Sequence, residues 1–337
     1  MPTLLLSDYD VRKYLPMAEC IDVMADALKS VSEGASILPL RTVIRLPNTL
    51  NAFASMPAVL GEGDTASIGA KLITVFPGND ATPFDSHIGV VLLFDAKHGA
   101  LQAVADASSI TSIRTAAVSG LATRLLANED ASELAILGAG VLAMTHVEAV
   151  LAVRPIKRVR VWSRSGARAY DFATQARLRW EQLEIVVCEH ARDAVGPAHV
   201  VCTVTSSRTP VLEGGWLAPG THVNAVGASI SSARELDSDA VTMARLYVDK
   251  RESTMAEAGD FLIPKSEGHF TDSHIIGELG ELLLQRVAGR TDRTQITLFK
   301  SLGLAVEDVA ALRHIYQQAT AANAGTNMVF GGLREGH

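Results

Sequence analysis

Apolar residues Ile21, Met24, Ala25, Leu28 and Val31 recur at helical spacing between Met17 and Glu33, and Gly34 ends the pattern. This predicts an amphipathic helix. The runs that follow, RTVIRL, NAFASMPAVL, SIGAKLITVFPGN and GVVLLFDAKHGALQAVAD, are short, β-rich and broken by turn residues. With no helix between them they predict a mainly antiparallel sheet. Ser109 to Ala127 reads as a long helix with Ser109 or Thr111 as its cap.

After Asp130 the rhythm changes. Runs 133–138, 158–163, 184–188, 198–205, 221–227, 244–249 and 295–301 are continuously apolar or β-branched, and VLAMTHVEAVLAV and ARAYDFATQARLRW between them are helical. Uninterrupted apolar strands alternating with helices predict a doubly wound parallel sheet buried on both faces. The expected division is a dinucleotide-binding domain over residues 123–302 and an α+β substrate and dimerisation domain over 1–122 plus 303–337. The helical segment AVEDVAALRHIYQQATAAN should pack back on the N-terminal part.

Composition narrows the class. A chain of 337 residues with 48% hydrophobic and 20% charged positions can bury two cores. Thirty basic against 37 acidic residues, a net charge of −7 with no basic run, argues against nucleic acid or an anionic membrane as partner. No apolar run reaches the roughly 18 residues of a membrane span, and the first residues lack the pattern of a signal peptide. Cys20, Cys188 and Cys202 are odd in number and widely spaced, which fits a reducing cytoplasm and neither a disulfide framework nor a zinc site. The ten histidines form no metal-binding spacing.

Gly138-Ala139-Gly140-Val141-Leu142-Ala143 fits G-x-G-x-x-[GA] between an expected strand and an expected helix, the context a Rossmann-type dinucleotide fold requires. Gly138 would make the tight turn, Gly140 would let the backbone approach a pyrophosphate, and Ala143 would allow close helix–strand packing. The phosphates would then rest on the amides that open the helix, at Val141 and Leu142. The second strand ends in Ser163-Arg164-Ser165, with no carboxylate for an adenosine ribose; two hydroxyls and a guanidinium favour the 2′-phosphate of NADPH over NADH. Thr203, Thr205 and Ser206 end the next strand at its carboxyl edge, where ligands collect in open α/β sheets.

IRTAAVSGLA, GAGVLAMTHVEAV, VCTVTSS, HVNAVGAS and FKSLGLAVEDVAA together resemble the ornithine cyclodeaminase and mu-crystallin family, in the right order and over nearly the whole chain. The resemblance implies a homodimer, NADP or NAD as cofactor, and hydride exchange with the C–N carbon of a small α-imino or α-amino acid. It implies that Lys71 lies beside the substrate as a catalytic residue, that Arg114 binds the substrate carboxylate and that Arg41 grips the same group. An α-imino acid needs those two things, a bidentate cation and a proton source near nitrogen. The resemblance also places Ser86, Arg114 and Thr115 at the cofactor, His87 and Leu302 at the substrate, Val226 and Gly227 near the nicotinamide, and Ser301 at the closing edge of the pocket.

One departure separates two reactions. Cyclodeaminases of the family carry an aspartate where this chain has Ser229, and a hydroxyl cannot serve as their acid–base group at neutral pH. Reduction of the C=N bond of an α-imino acid, a cyclic ketimine or iminosuccinate for example, is therefore the expected reaction, with Ser229 at the substrate. Ornithine cyclodeamination to proline, and non-catalytic NADP binding of the mu-crystallin type, are the alternatives.

Overall fold

The computed structural model describes residues 2–331; Met1 and residues 332–337, the end of the expected 303–337 segment, lie outside the described residues. The chain forms two compact units, one joining everything up to Arg114 with the segment from Leu304 onward, the other running from Thr115 to Gly303. The break at Arg114 falls within a helix, Ala107–Leu126.

In the first unit the strands Ala52–Leu60, Ser67–Val75, His87–Asp95 and Leu101–Asp106 are consecutive antiparallel neighbours. Alternate positions are buried along Ala52–Leu60 and through Ser67, Gly69, Lys71 and Ile73 of the next strand, the period-two pattern of a sheet with one covered face. The last hairpin turns on Asp95, whose carboxylate accepts the amides of Lys97, His98 and Ala100. Thr3–Leu6 adds in parallel beside Leu101–Asp106, and Thr326–Met328 pairs with it from the far end of the chain; neither strand is expected from the sequence pattern.

Two helices, Met17–Glu33 and Ala305–Ala321, pack on each other, and the second lies on the sheet. Gly69 decides how closely. A Cβ there would sit 2.6 Å from the Leu92 carbonyl oxygen and 2.7 Å from Val309, so only glycine lets the helix come this near the strand. The same approach brings Asp308 against Lys71, two residues further along the same strand face.

The long helix starts at Ala107, before the expected Ser109. Its first turn is capped by Asp106, which accepts the Ser109 amide at 2.7 Å and the Ser109 hydroxyl at 2.6 Å. Thr111, the other expected cap, instead donates back to the Ala107 carbonyl, which corrects both capping expectations.

The second unit is an all-parallel sheet in the spatial order Glu184–Val187, Arg158–Trp162, Glu133–Leu137, Val200–Thr203, His222–Ala225, Thr297–Lys300, Arg245–Val248 and Ile275–Glu278. The molecule is thus α/β, with a doubly wound sheet in one unit and an α+β arrangement in the other. Val200–Thr203 and His222–Ala225 are buried at every position, as strands covered on both faces must be. Chain order reverses between Glu133–Leu137 and Val200–Thr203, the switch point at which such sheets bind ligands. Ile275–Glu278 had no strand signal because a 3₁₀ turn and short helices crowd it on both sides. No described helix is long and apolar enough to cross a membrane.

Candidate functional site

The first unit gathers four charged side chains into one buried cluster. Lys71 comes from a strand, Arg114 from the helix Ala107–Leu126, and Glu307 and Asp308 from the first turn of the helix Ala305–Ala321. All four are at most 4% exposed. Lys71 Nζ donates to Thr111 Oγ1 at 3.1 Å and lies 3.2 Å from Asp308 Oδ2. Arg114 donates from Nε to Asp308 Oδ1 at 2.9 Å and from Nη1 to Glu307 Oε2 at 2.7 Å. Thr111 and Arg114, three residues apart, present one helix face to the cluster.

Burial depresses the Lys71 ammonium from 10.5 to about 8; the Asp308 carboxylate pulls it back up, and the Arg114 and Arg41 charges push it down. An amine near that value can hold or release a proton close to neutral pH. Arg41 thus lies within the field of Lys71. His87, at the start of its strand, is held below its usual value first by desolvation and then by Lys71, although the residue as a whole remains exposed. Its Nδ1 is 2.9 Å from the Ser86 hydroxyl, so Ser86 is engaged with the imidazole.

One expectation changes. Arg114, expected to clamp a substrate carboxylate, already gives its Nε to Asp308 and its Nη1 to Glu307. Neither acid was singled out from the sequence. The available signal was an acidic pair inside the otherwise apolar AVEDVAAL: charges at positions that a packed helix buries call for partners.

In the second unit, the strand Glu133–Leu137 runs into Gly138, which adopts φ +114° and whose Cβ would lie 2.8 Å from the Val204 carbonyl oxygen. Both facts demand glycine. Gly140 opens the helix Val141–Leu151 without a side-chain cap, and a Cβ built on it meets nothing within 4 Å. Val141 and Leu142 thus open the helix at its positive end with no side-chain cap, and Ala143 is fully buried. An uncapped helix end of this kind could hold a pyrophosphate.

At the end of Arg158–Trp162, Ser163 is partly exposed, while Arg164 and Ser165 are exposed. Ser165 also caps the next helix by accepting the Arg168 amide. Thr203, expected to touch the cofactor, is fully buried, and its hydroxyl donates to Glu235 at 2.8 Å, which secures the strand end. Thr205 is partly exposed and also donates to Glu235, whereas Ser206 and Ser229 are exposed. Thr115, Val226, Ser301 and Leu302 are buried and Gly227 is half-buried. Asp249 fixes the turn after the strand Thr297–Lys300 by accepting the amides of Leu302 and Gly303.

Comparisons with known proteins cover most of the chain. The model of a family described as ornithine cyclodeaminase/mu-crystallin matches residues 1–323. The chain is 39% identical over 284 residues to the ketimine reductase mu-crystallin of Mus musculus, covering 84% of this chain and 86% of that protein. Among solved structures, Thermococcus litoralis Δ1-pyrroline-2-carboxylate reductase in complex with NADH and L-proline superposes with a TM-score of 0.93 at 36% identity, over 97% of this chain and all of that one. An archaeal alanine dehydrogenase dimer with bound NAD gives 0.91 at 28% identity, over 98% and 100%.

Proposed function

Because the chain belongs to the ornithine cyclodeaminase/mu-crystallin family, we propose that it is an NAD(P)H-dependent oxidoreductase that reduces the C=N bond of an α-imino acid to an L-amino acid. The observation that carries the reading is the buried Lys71 ammonium, held between Asp308 and Thr111 beside Arg114. When bound, the dihydronicotinamide supplies the hydride that the C=N carbon accepts.

The chain's own residues supply the rest. Lys71 donates a proton at the imine nitrogen, so that hydride and proton together saturate the double bond and leave an amine. Asp308 keeps that ammonium charged at neutral pH despite its burial. Arg41 and the Nη2 side of Arg114 receive the carboxylate, since Nε and Nη1 are committed to Asp308 and Glu307. His87, held neutral by its surroundings, accepts or donates a hydrogen bond at the substrate's periphery.

Charge selects among substrates. Lys71 and Arg114 are matched one for one by Glu307 and Asp308, so the cluster is neutral before Arg41 is counted. One substrate carboxylate suits that balance better than two, which favours a cyclic ketimine monocarboxylate over iminosuccinate. The relatives named above are a ketimine reductase and a pyrroline-2-carboxylate reductase, in keeping with this choice. Ser229 provides no carboxylate for ornithine deamination.

For the cofactor, the neighbouring structures carry NADH and NAD. The exposed Arg164 between two serines supports use of NADPH at least as well as NADH. We also place the protein in the cytoplasm, where its three free thiols would stay reduced, and assign it a homodimer. The strand Thr42–Arg45 is exposed along its length and, with Ile37 and Leu50, presents apolar side chains that a second copy would cover.

The test is a panel assay following NADPH and NADH absorbance with pyrroline- and piperideine-2-carboxylate, iminosuccinate, and pyruvate with ammonia or methylamine. Fastest turnover with a cyclic ketimine is expected. Proline and ammonia released from L-ornithine with NAD, and no reduction of any imine, would replace this reading with the lyase.

A further inference from the structure

Glu235 is fully buried at the carboxyl edge of the parallel sheet, and the proposed chemistry does not use it. Its Oε1 accepts the backbone amide and the hydroxyl of Thr205, both at 2.7 Å. Its Oε2 accepts the Thr203 hydroxyl at 2.8 Å, the Gly227 amide at 2.7 Å and the Ala228 amide at 3.3 Å. One carboxylate thereby ties the loop leaving Val200–Thr203 to the loop leaving its neighbour His222–Ala225. The loops are drawn so close that a Cβ at Gly227 would sit 2.0 Å from the Thr205 carbonyl oxygen and 2.6 Å from Glu235 Oε1.

The carboxylate is itself anchored. Asp260 Oδ1 accepts the amides of Glu235 and Leu236, at 2.8 and 3.0 Å. Asp260 Oδ2 is 3.0 Å from Lys300 Nζ, which also donates to the Ala225 carbonyl. The circuit therefore closes on the strand whose end it holds. Apolar groups could not fill this space without leaving the amides of Thr205, Gly227 and Ala228 without an acceptor, so the carboxylate that gathers them sets the positions of the two loops.

We propose that Glu235 is a positioning residue that seats the nicotinamide half of the bound dinucleotide through the loops after Thr203 and Ala225. This rests on the dinucleotide reading above. In a doubly wound sheet the strands on one side of the switch point hold the adenosine half and those on the other side hold the nicotinamide half. Glu235 braces two strand ends on the second side. Glutamine cannot replace it, because each oxygen faces at least one backbone N–H, so either orientation of an amide sets its NH2 group against a donor.

The experiment compares native protein and Glu235→Gln in three measurements: thermal unfolding, affinity for ADP-ribose and its 2′-phosphate, and turnover of a cyclic ketimine acid with NADPH and with 4-deuterated NADPH. The fragments report on the adenosine half alone. The variant should bind them within about twofold of native, while kcat falls about tenfold or more and the deuterium isotope effect rises as hydride transfer becomes slow. Fragment affinity falling as far as kcat would reduce Glu235 to general scaffolding, and an unchanged kcat and isotope effect would remove the role altogether. If Glu235→Gln does not fold, Thr203→Val deletes one of the five bonds and should give the same pattern at about threefold; no change in kcat there would equally overturn the proposal. Native protein that binds neither fragment nor NADPH would sink the cofactor reading first and this inference with it.

Discussion

Both units bury carboxylates at their functional surfaces, and they do so in different ways. In the first, Glu307 and Asp308 meet the side-chain cations Lys71 and Arg114, contributed by separate elements far apart in sequence. In the second, Glu235 meets mainly backbone amides and hydroxyls at neighbouring strand ends. In the proposed reaction the first arrangement would make charge available for chemistry, because its ammonium can titrate. The second spends charge on geometry, because amides neither titrate nor leave.

The comparison breaks most sharply at Asp308. Asp308→Asn leaves Lys71 and Arg114 buried with one carboxylate between them, and breaking a buried pair costs about 3–5 kcal/mol. Denaturant unfolding should show a loss of that order, and kcat on the best imino acid should fall about 100-fold or more, since the ammonium loses the group that keeps it charged. A stable variant with native kcat would mean that the cluster is not a proton site. Arg114→Ala should lower kcat/KM by at least about tenfold, through the lost carboxylate contact and the stranded acids.

A smaller effect sharpens the first half of the contrast. Lys71 is charged below about pH 8 and neutral above it, so kcat for reduction should be flat at lower pH and fall as pH rises through about 8. Among the groups around it, Asp308 raises this titration most, and Arg114 and Arg41 lower it. Weakening that contact should therefore move the falling limb to lower pH. Lys71→Met should lower kcat more than it raises KM and abolish the limb; a limb that persists unchanged in that variant belongs to another group.

The smallest effect concerns the exposed edge of the second unit. Arg164→Ala removes a solvent-screened contact worth about 1 kcal/mol, so the KM for NADPH should rise about fivefold and that for NADH should scarcely move. Equal changes for both cofactors would show that Arg164 does not meet the 2′-phosphate.

The same contrast explains what could be read from the sequence. The glycine turn is contiguous: a run of apolar residues, Gly138, Gly140 and a helix follow one another, and local stereochemistry alone requires them in that order. The parallel sheet was legible because a strand covered on both faces must be apolar at every position. The charge cluster has no local signature. Lys71 and Arg114 come from family resemblance, and their partners carry no local signal because Gly69 brings Asp308 to Lys71 across a separation of 237 positions in the chain. Glu235 was hidden for a related reason, since its partners are backbone amides that every sequence possesses. The bond from Thr203 to Glu235 has no signature either, because a hydroxyl at a strand end looks the same whether it faces a ligand or a buried acid.

The account stands most directly on where the new hydrogen goes. Native enzyme incubated with pyrroline-2-carboxylate and NADPH carrying deuterium at the transferable C4 position should yield L-proline with one deuterium at Cα, seen by mass spectrometry as a single-unit increase matched mole for mole by NADPH consumed. Unlabelled proline, or NADPH left intact in the presence of every imino acid in the panel, would contradict it.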